Sequence, residues 1–218
     1  ALAGNRFRLL LRLAPAARCA AGARLERTAI VGVPNYFGPQ RFGRGGGNVS
    51  GARRWFAEER EPGRRERGMY LSAARSYLFN RVLAARIADG SWHRLLPGEL
   101  AVFADSNSGF VVADAAQEGR RLAAGDIHPS GPLPGEPGGL APHGEALAVE
   151  EAVLAEEAEL VAGLMAQRVK AHRRALRVIP SQAAWEAAEE GLRIAFTLPA
   201  GAFATSVVRE EISVKGEE

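Results

Sequence analysis

Residues 5–13 alternate between apolar and polar side chains, and a repeat of two residues fits a β-strand rather than a helix. The apolar face of this segment consists of Phe7, Leu9, Leu11 and Leu13. Its opposite face consists of Arg6, Arg8 and Arg12, with Leu10 as the exception. Residues 191–198 repeat in the same way, and their apolar face consists of Leu192, Ile194, Phe196 and Leu198. The chain is therefore expected to contain half-buried strands, the first with a basic outer face.

The rest of the sequence mixes helical and extended segments without regular alternation. Composition and periodicity predict helices over 16–30, 48–60, 70–88, 114–123 and 145–166, a basic helical turn over 167–176 and a final helix through Val208. Short strands are predicted at 99–104 and 109–113, a charged connector at 61–68, and a loop rich in proline and glycine at 125–144. Asn48 is expected to cap the second helix. This mixture predicts the α+β class.

The composition admits a folded core and disfavours several classes of protein. Apolar residues make up 47% of the 218 residues, which is enough for a core. The single cysteine, Cys19, indicates a reduced protein, and the four histidines show no metal-ligand spacing, so no metal site is expected. No run of roughly 18 or more apolar residues occurs, so no membrane span is expected either.

Charge is divided unequally along the chain. Residues 1–94 carry 18 arginines and 6 acidic side chains, whereas residues 95–218 carry 10 basic and 19 acidic ones, for a formal net charge of +3. A basic half on a nearly neutral protein favours a polyanion as partner. The alternative is that the chain comes from a proteome rich in arginine and that these side chains simply lie on solvated faces. The presence of only two lysines, Lys170 and Lys215, fits that alternative.

The segment 35–43 concentrates groups that suit a flipped pyrimidine base. It holds three aromatic rings, two side-chain amides and one arginine among glycines: Asn35, Tyr36, Phe37, Gln40, Arg41 and Phe42. A ring can stack on the base, a carboxamide can bond its Watson–Crick edge, and an arginine can hold a phosphate. The residues alone also allow a loop whose aromatic side chains simply pack on the core.

Three longer stretches carry a family resemblance. Val33-Pro34-Asn35-Tyr36-Phe37-Gly38-Pro39-Gln40-Arg41-Phe42-Gly43 closely resembles the signature of the TruD-type tRNA pseudouridine synthases. The segment Leu71–Asn80, LSAARSYLFN, resembles the helix that opens the inserted domain of that family, and Leu198–Glu210, LPAGAFATSVVRE, resembles its C-terminal motif. The three matches occur in the family's order, so the chain is identified as resembling this family over nearly its whole length.

The resemblance implies a fold, an activity and a division into domains. Members isomerise uridine to pseudouridine in tRNA, usually at position 13, with an aspartate and without a cofactor or metal. The implied fold is a pseudouridine synthase-like mixed sheet with helices, interrupted by an inserted TruD-specific α+β domain. On this basis residues 1–60 and 179–218 are expected to form parts of the catalytic domain and residues 61–178 the insertion. The expected partner is tRNA, and the expected protein is a cytoplasmic monomer.

The resemblance also implies site residues. Asn35 and Phe37 are expected to face the target base and Phe203 to line the same pocket. Arg41 binds a phosphate or braces its loop, and Gly201 either begins a helix whose N–H groups hold an anion or serves as a turn glycine. The candidates for contact with the RNA backbone are Arg6, Arg8, Arg12, Arg44, Arg53 and Arg54, together with Arg41.

The sequence departs from the family pattern at the nucleophile. The family's catalytic aspartate lies in a Gly-x-Lys-Asp segment, which these 218 residues do not contain, and the four aspartates present, Asp89, Asp105, Asp114 and Asp126, lack that context. None is assigned as catalytic. The nucleophile is expected upstream of Ala1 in a longer protein, which would leave the present chain inactive by itself.

Two other functions are compatible with the sequence. One is a non-catalytic tRNA-binding module or pseudoenzyme that uses the same pocket and basic face. The other is a small-molecule enzyme that uses the acidic side chains of the 145–166 helix. The second is disfavoured because these glutamates are typical of a solvated face: Glu150, Glu151, Glu156, Glu157 and Glu159.

Overall fold

The computed structural model describes residues 4–106 and 108–212, with side chains described as far as Val208. In chain order its elements are β1 (Asn5–Arg12), α1 (Pro15–Val31), β2 (Val33–Pro34), α2 (Gly47–Phe56), α3 (Arg64–Ala88), β3 (Leu100–Phe103), β4 (Gly109–Val111), α4 (Gly119–Ala124), β5 (Ile127–Leu133), α5 (Gly144–Ala155), α6 (Ala158–Ala166), β6 (His172–Ala175), β7 (Arg177–Val178), β8 (Ser181–Ala188), β9 (Gly191–Leu198) and α7 (Ala204–Ile212). Two single turns of 3₁₀ helix lie at Pro39–Arg41 and Arg44–Gly46. This mixture of helices and antiparallel strands confirms the predicted α+β class.

The chain divides into two compact units. The terminal unit comprises residues 1–36 and 177–218, and the central unit comprises residues 37–176. The domain boundaries expected from the sequence lay instead after residues 60 and 178. Residues 37–60 fall in the central unit because α2 packs on α3 and α6 within it.

The terminal unit is built on an antiparallel sheet with the strand order β1-β9-β8. Phe7 lies opposite Phe196 in this sheet, and their ring centroids are 5.5 Å apart. The predicted apolar face of β9 is buried, which confirms the alternation that the sequence showed. Helix α1 contacts β8 and β9. At this contact Gly22 leaves room for the ring of Trp185, which would lie only 2.9 Å from an added Cβ.

A short ribbon and the last helix complete the terminal unit. Val33 of β2 pairs with Val178 of β7, and both strands belong to this unit. Gly201 has φ +85°, a left-handed conformation that favours glycine, so it reverses the chain between β9 and α7. Helix α7 contacts β2 and α1 and continues to Ile212, beyond the end expected at Val208.

The central unit contains a four-stranded antiparallel sheet with the order β4-β3-β5-β6. Strand β5 was wrongly assigned to the loop at 125–144, because Pro129 and Pro132 argue against a strand. Its two halves are paired on different sides, with β3 up to Pro129 and with β6 from Ser130 onward. Each half therefore leaves one side without ladder hydrogen bonds, which is a setting that tolerates proline.

Other segments of the central unit also differ from the sequence-based prediction. Residues 172–175 form β6 rather than a helical turn. Helix α3 begins at Arg64, inside the expected connector, because the Glu66 carboxylate accepts a hydrogen bond from the Gly63 N–H and caps the first turn. Helix α4 begins only at Gly119, after a turn in which the Asp114 carboxylate accepts bonds from two following N–H groups.

The structure differs in two respects from the prediction of one acidic helix with a solvated face. The helix breaks into α5 and α6 at residues 156–157. Glu150 and Glu157 are buried rather than solvated, at 4% and 7% exposure. Glu150 receives two hydrogen bonds from Arg173 of β6, at 2.8 and 2.6 Å. Asn48 is likewise not a helix cap, because α2 begins before it and its side chain donates to the Arg41 carbonyl.

A fully buried ion pair connects α3 to the segment that leads into β3. Arg86 and Glu99 are 1% and 0% exposed, and Arg86 Nη2 lies 2.8 Å from Glu99 Oε2. The same guanidinium donates to the carbonyls of Ser91 and Arg94, each at 3.0 Å. The Glu99 carboxylate accepts bonds from the Leu96 and Ser130 N–H groups. The two charges therefore neutralise each other inside the unit, although Arg86 Nε is buried without a hydrogen-bond partner.

A second polar cluster joins the helices of the central unit. The Glu157 carboxylate accepts bonds from Arg53 of α2 at 2.5 Å, from Tyr77 of α3 at 2.8 Å and from Arg81 of α3 at 2.9 Å. Burial by itself would raise the pKa of Glu157, but the hydrogen bonds from Arg53 and Tyr77 and the charges of the two arginines outweigh it, so the pKa is lowered.

Replacing Glu157 with glutamine is expected to lower the free energy of unfolding at pH 7 by about 2 kcal/mol, because the ionised carboxylate is lost from its three donors. The lowered pKa means that this stabilisation is present above the ordinary value of 4.5 and is lost as the pH falls through the folded-state value. Urea unfolding of both proteins between pH 7 and pH 3 measures the difference. It should shrink on acidification, whereas Glu159→Gln, at an exposed position, should change little at any pH. A difference that is independent of pH would contradict the prediction.

Among the described helices, none is both long and apolar enough to cross a membrane.

Candidate nucleic-acid interface

The main chain of Phe37 is held by the side chain of Asn80 on α3. The Phe37 N–H donates to Asn80 Oδ1 at 3.0 Å, and Asn80 Nδ2 donates to the Phe37 carbonyl at 3.1 Å. One carboxamide therefore satisfies both polar groups of a loop residue that has no ladder or helix to bond it. A long helix supports the carboxamide, so the position of Phe37 is fixed by a rigid element.

Aromatic and cationic groups surround the Phe37 ring. Phe79 meets it edge to face, with ring centroids 5.5 Å apart and an angle of 83° between the planes. The guanidinium carbon of Arg174 lies 4.1 Å from the ring centroid, and that of Arg41 lies 5.4 Å away. Phe37 itself is half-buried. These contacts belong to the central unit and place two positive charges beside a partly accessible ring.

Arg41 is anchored as well as charged. Its Nη1 donates to Ser72 Oγ of α3 at 2.8 Å, and its carbonyl accepts a bond from Asn48 Nδ2 at 3.3 Å. These contacts brace the loop, which was one of the two roles expected for this arginine. The phosphate-binding role stays a prediction, and the half-buried guanidinium is compatible with it.

Arg174 lies over the Phe37 ring and is a candidate site residue that the sequence analysis did not select. It lies on β6 opposite Gly131 of β5, where an added Cβ would stand 3.1 Å from the Phe79 ring. Burial, and then the charge of Arg41, lower the pKa of Arg174 to about 10. The pair Arg173-Arg174 was a usable signal in the sequence. Successive residues of a strand face opposite sides, so Arg174 faces away from Glu150, to which Arg173 is bonded.

The terminal unit holds the other predicted pocket residues. Asn35 is buried, Phe203 is half-buried, and Gly201 forms the turn before α7. Ser206 Oγ of α7 donates to the Tyr36 carbonyl at 3.4 Å, so the segment after β2 lies beside the start of α7. Asn35 and Phe203 thus come from neighbouring segments of one unit. Phe37 and Arg41 belong to the other unit, and a pocket common to all four stays a prediction.

The predicted backbone-contacting arginines differ in their surroundings. Arg6, Arg8 and Arg12 are exposed on the outer face of β1, as the alternation predicted. Arg8 also lines an open groove of about 540 Å³ on this sheet, together with Leu10, Trp185 and Arg193. Two further candidates, Arg44 and Arg54, are exposed in the central unit. Arg53 is bonded to Glu157, so its charge serves the contact between α2 and the α5–α6 break.

All four aspartates lie at turns or helix ends, and the carboxylates of two of them accept local hydrogen bonds. Asp89 accepts a bond from the Ser91 N–H at the end of α3, and Asp114 caps the turn before α4. Asp105 lies in the turn between β3 and β4, as expected, and Asp126 lies in the turn between α4 and β5. Each carboxylate is thus placed at a turn or a helix end.

The geometry is that of an α+β protein with a ring on an ordered loop, a carboxamide clamp from α3 and two arginines, one from the loop and one from β6, which suits the recognition of an RNA base. The structure matches a Methanosarcina mazei protein assigned as tRNA pseudouridine synthase D (TruD), with a TM-score of 0.71 at 22% identity over 97% of this chain and 69% of that one. The fold is therefore that of a pseudouridine synthase.

The family follows from sequence comparison. The model of the family tRNA pseudouridine synthase D (TruD) matches residues 1–49 and 63–211, and the chain belongs to this family, which confirms the predicted resemblance. Relatives described as tRNA pseudouridine synthase D are 46% identical in Stutzerimonas stutzeri, Pseudomonas aeruginosa and Methylococcus capsulatus, over 98%, 95% and 96% of this chain. The chain spans 62%, 59% and 60% of the lengths of these relatives.

Proposed function

We propose that this chain forms the base-recognising part of an enzyme that isomerises uridine to pseudouridine in tRNA, at uridine 13. The observation that carries the proposal is the Phe37 loop, which Asn80 fixes and two arginines flank, inside a chain of the TruD family. A partly accessible ring on a fixed loop offers a stacking surface to an extruded base at little entropic cost.

Each predicted site residue receives a role in this proposal. Phe37 stacks on the uracil, Asn35 bonds its Watson–Crick edge, and Phe203 closes the pocket. Residues 1–60 and 179–218 supply parts of the catalytic domain, and residues 61–178 supply the inserted domain. The exposed arginines of β1 contact the RNA backbone. Because the proposed substrate is tRNA, we place the activity in the cytoplasm.

The chemistry needs one group that the 218 residues do not provide in the family's context. The bond between C1′ of the ribose and N1 of the base breaks, the uracil rotates, and a bond forms between C1′ and C5. The proton on C5 is then lost and N1 gains one, so the reaction is an isomerisation. A carboxylate carries the intermediate covalently, and the Gly-x-Lys-Asp segment of the family is the proposed source.

A chimaera tests the function. The N-terminal part of the Stutzerimonas stutzeri relative, where the family's Gly-x-Lys-Asp segment is expected, is joined in frame before Ala1, and the product is incubated with an unmodified tRNA transcript. Pseudouridine is expected in stoichiometric amounts and at one uridine, because the supplied aspartate completes the site. Carbodiimide labelling followed by primer extension measures both the yield and the position.

Two controls separate the alternatives. The 218-residue chain alone, and the chimaera with its supplied aspartate changed to asparagine, are expected to bind the transcript and form no pseudouridine. Product from the 218-residue chain alone would contradict the need for the additional aspartate. A folded chimaera that binds tRNA without modifying it would favour the non-catalytic binding module instead.

A further inference from the structure

Within the described residues, one face of the β1-β9-β8 sheet is exposed to solvent. Helix α1 contacts β8 and β9, and the side chains of β9 that alternate toward the core are buried, with Ile194 at 2% and Phe196 at 1% exposure. The residues between them face the other way and line the open groove of about 540 Å³. Ala184 and Ala195 form its floor and Arg193 lies beside them. The volume is in the range of about 300–1,000 Å³ that is usual for ligand sites.

The pairing of the strands determines which side chains share this face. Leu10 of β1 lies opposite Arg193 of β9, which lies opposite Glu186 of β8. Arg8 of β1 lies opposite Ala195 of β9. Side chains at opposed positions of a sheet project from the same face, so Arg8 and Arg193 are diagonal neighbours, about 7–8 Å apart. Two guanidinium groups from different strands therefore flank a floor of small side chains.

The charge of this face is mainly positive. Four arginines and two glutamates lie on it or beside it: Arg6, Arg8, Arg12, Arg193, Glu186 and Glu190. Arg193 pairs with Glu186 at 3.3 Å and Arg12 pairs with Glu190 at 3.5 Å, but these side chains are between 63% and 82% exposed. Such pairs contribute little, so an arginine can exchange its carboxylate for another anion. The other two arginines have no acidic partner among the described residues.

The spacing of these groups selects a polyanion rather than a single small anion. Alternate residues of a strand are about 6.5 Å apart, so the arginines form a row along β1 with a branch to β9 instead of one pocket. Leu10 lies between Arg8 and Arg12 and is 42% exposed, which offers apolar surface between two cations. An RNA strand repeats in the same manner, because its phosphates are separated by sugars and bases. Guanidinium groups also match phosphate oxygens in geometry.

We propose that this face of the sheet binds a stretch of the tRNA backbone, with Arg8 and Arg193 each holding a phosphate and Leu10 contacting a sugar or base between them. The inference rests on the proposed function and adds to it a defined groove and Arg193, which the sequence analysis did not select. Glu186 competes with the phosphate for Arg193, so its charge weakens the binding. Contacts of this kind position the RNA without reading its sequence.

The affinity of the 218-residue chain for unmodified tRNA, measured at several salt concentrations, tests the proposal. Arg8→Gln/Arg193→Gln is expected to reduce the slope of log Kd against log salt by about 1.4–1.8, because each phosphate contact contributes about 0.7–0.9. Glu186→Gln removes the competing carboxylate and is expected to tighten binding at low salt by about 2- to 5-fold, a gain that partial unfolding does not produce. Arg120→Gln and Glu159→Gln remove the same charges at exposed positions of the central unit and are the matched controls.

Circular dichroism establishes that each variant is folded, and all the substituted side chains are exposed. An unchanged slope in Arg8→Gln/Arg193→Gln, with wild-type binding intact, would overturn the contact and leave the proposed function standing. A loss of affinity that is equal at every salt concentration would indicate lost packing and would also overturn it. Absence of tRNA binding by the wild-type chain would count against both proposals.

A second copy of the chain is the competing occupant of this face. Sedimentation of the RNA-free protein over a range of concentrations is expected to show no association through the groove. A dimer that Leu10→Ser dissociates would assign the face to self-association and overturn the proposal.

Discussion

Replacing Arg86 with methionine is expected to lower the free energy of unfolding by about 3–5 kcal/mol, because it leaves the Glu99 carboxylate buried without its guanidinium. The pair is almost completely inaccessible to water, and the lost cation also donates to two carbonyl groups. Domains are stable by only about 5–15 kcal/mol in total, so the change would remove a large fraction of that stability. Urea unfolding followed by circular dichroism measures it.

The same series contains its own controls. Burial raises the pKa of Glu99 and the charge of Arg86 opposes this effect, so the deficit in Arg86→Met should grow as the pH rises and Glu99 ionises. Changing Glu99 to leucine in the same protein should recover part of the loss, since neither charge is then left alone. Arg193→Met removes an exposed pair with Glu186 and should cost less than about 1 kcal/mol. Equal losses at the buried and exposed pairs would show that burial does not set the cost.

Replacing Asn80 with alanine is expected to lower kcat/KM for pseudouridine formation by about 100-fold or more in the catalytically complete chimaera. The carboxamide provides both hydrogen bonds to the Phe37 main chain, so its loss frees the loop that presents the ring. A displacement of about 1 Å in a positioned group is enough for a loss of this size. Single-turnover assays on unmodified tRNA measure the effect, and thermal unfolding establishes that the variant is folded.

Two substitutions refine this test. Asn80→Asp keeps an acceptor for the Phe37 N–H but loses the donor to the Phe37 carbonyl, so an intermediate rate is expected. Asn5→Ala, at an exposed position of β1, should leave the rate unchanged. A wild-type rate in a folded Asn80→Ala protein would show that the clamp does not position Phe37 for the reaction.

Local patterns predicted much of the fold. The alternation in β1 and β9 predicted the buried and exposed faces of both strands, because apolar and polar residues alternate along a strand that is buried on one side. The family motifs located the Phe37 loop and the helix that contains Asn80. The strand faces depend on neighbours within a few residues, whereas the Phe37 loop and its helix were located by resemblance to the family.

The errors arose where distant contacts override local preferences. The prolines of β5 read as a loop, and only pairing with β3 on one side and β6 on the other makes them part of a strand. Glu150 and Glu157 looked solvated because their arginine partners lie elsewhere in the chain. Arg174 could not be placed beside Phe37 for the same reason, since a strand read as a helical turn conceals which side chain faces inward.

The central unit is one uninterrupted stretch, residues 37–176, inserted in a unit formed by both ends of the chain. Phe37 is its first residue, and Arg174 stands two positions before its last. A recombination event that exchanged this stretch between homologous genes would transfer Phe37, Asn80 and both flanking arginines together. The Phe37 ring and its supports are therefore able to change without a change in the sheet of the terminal unit.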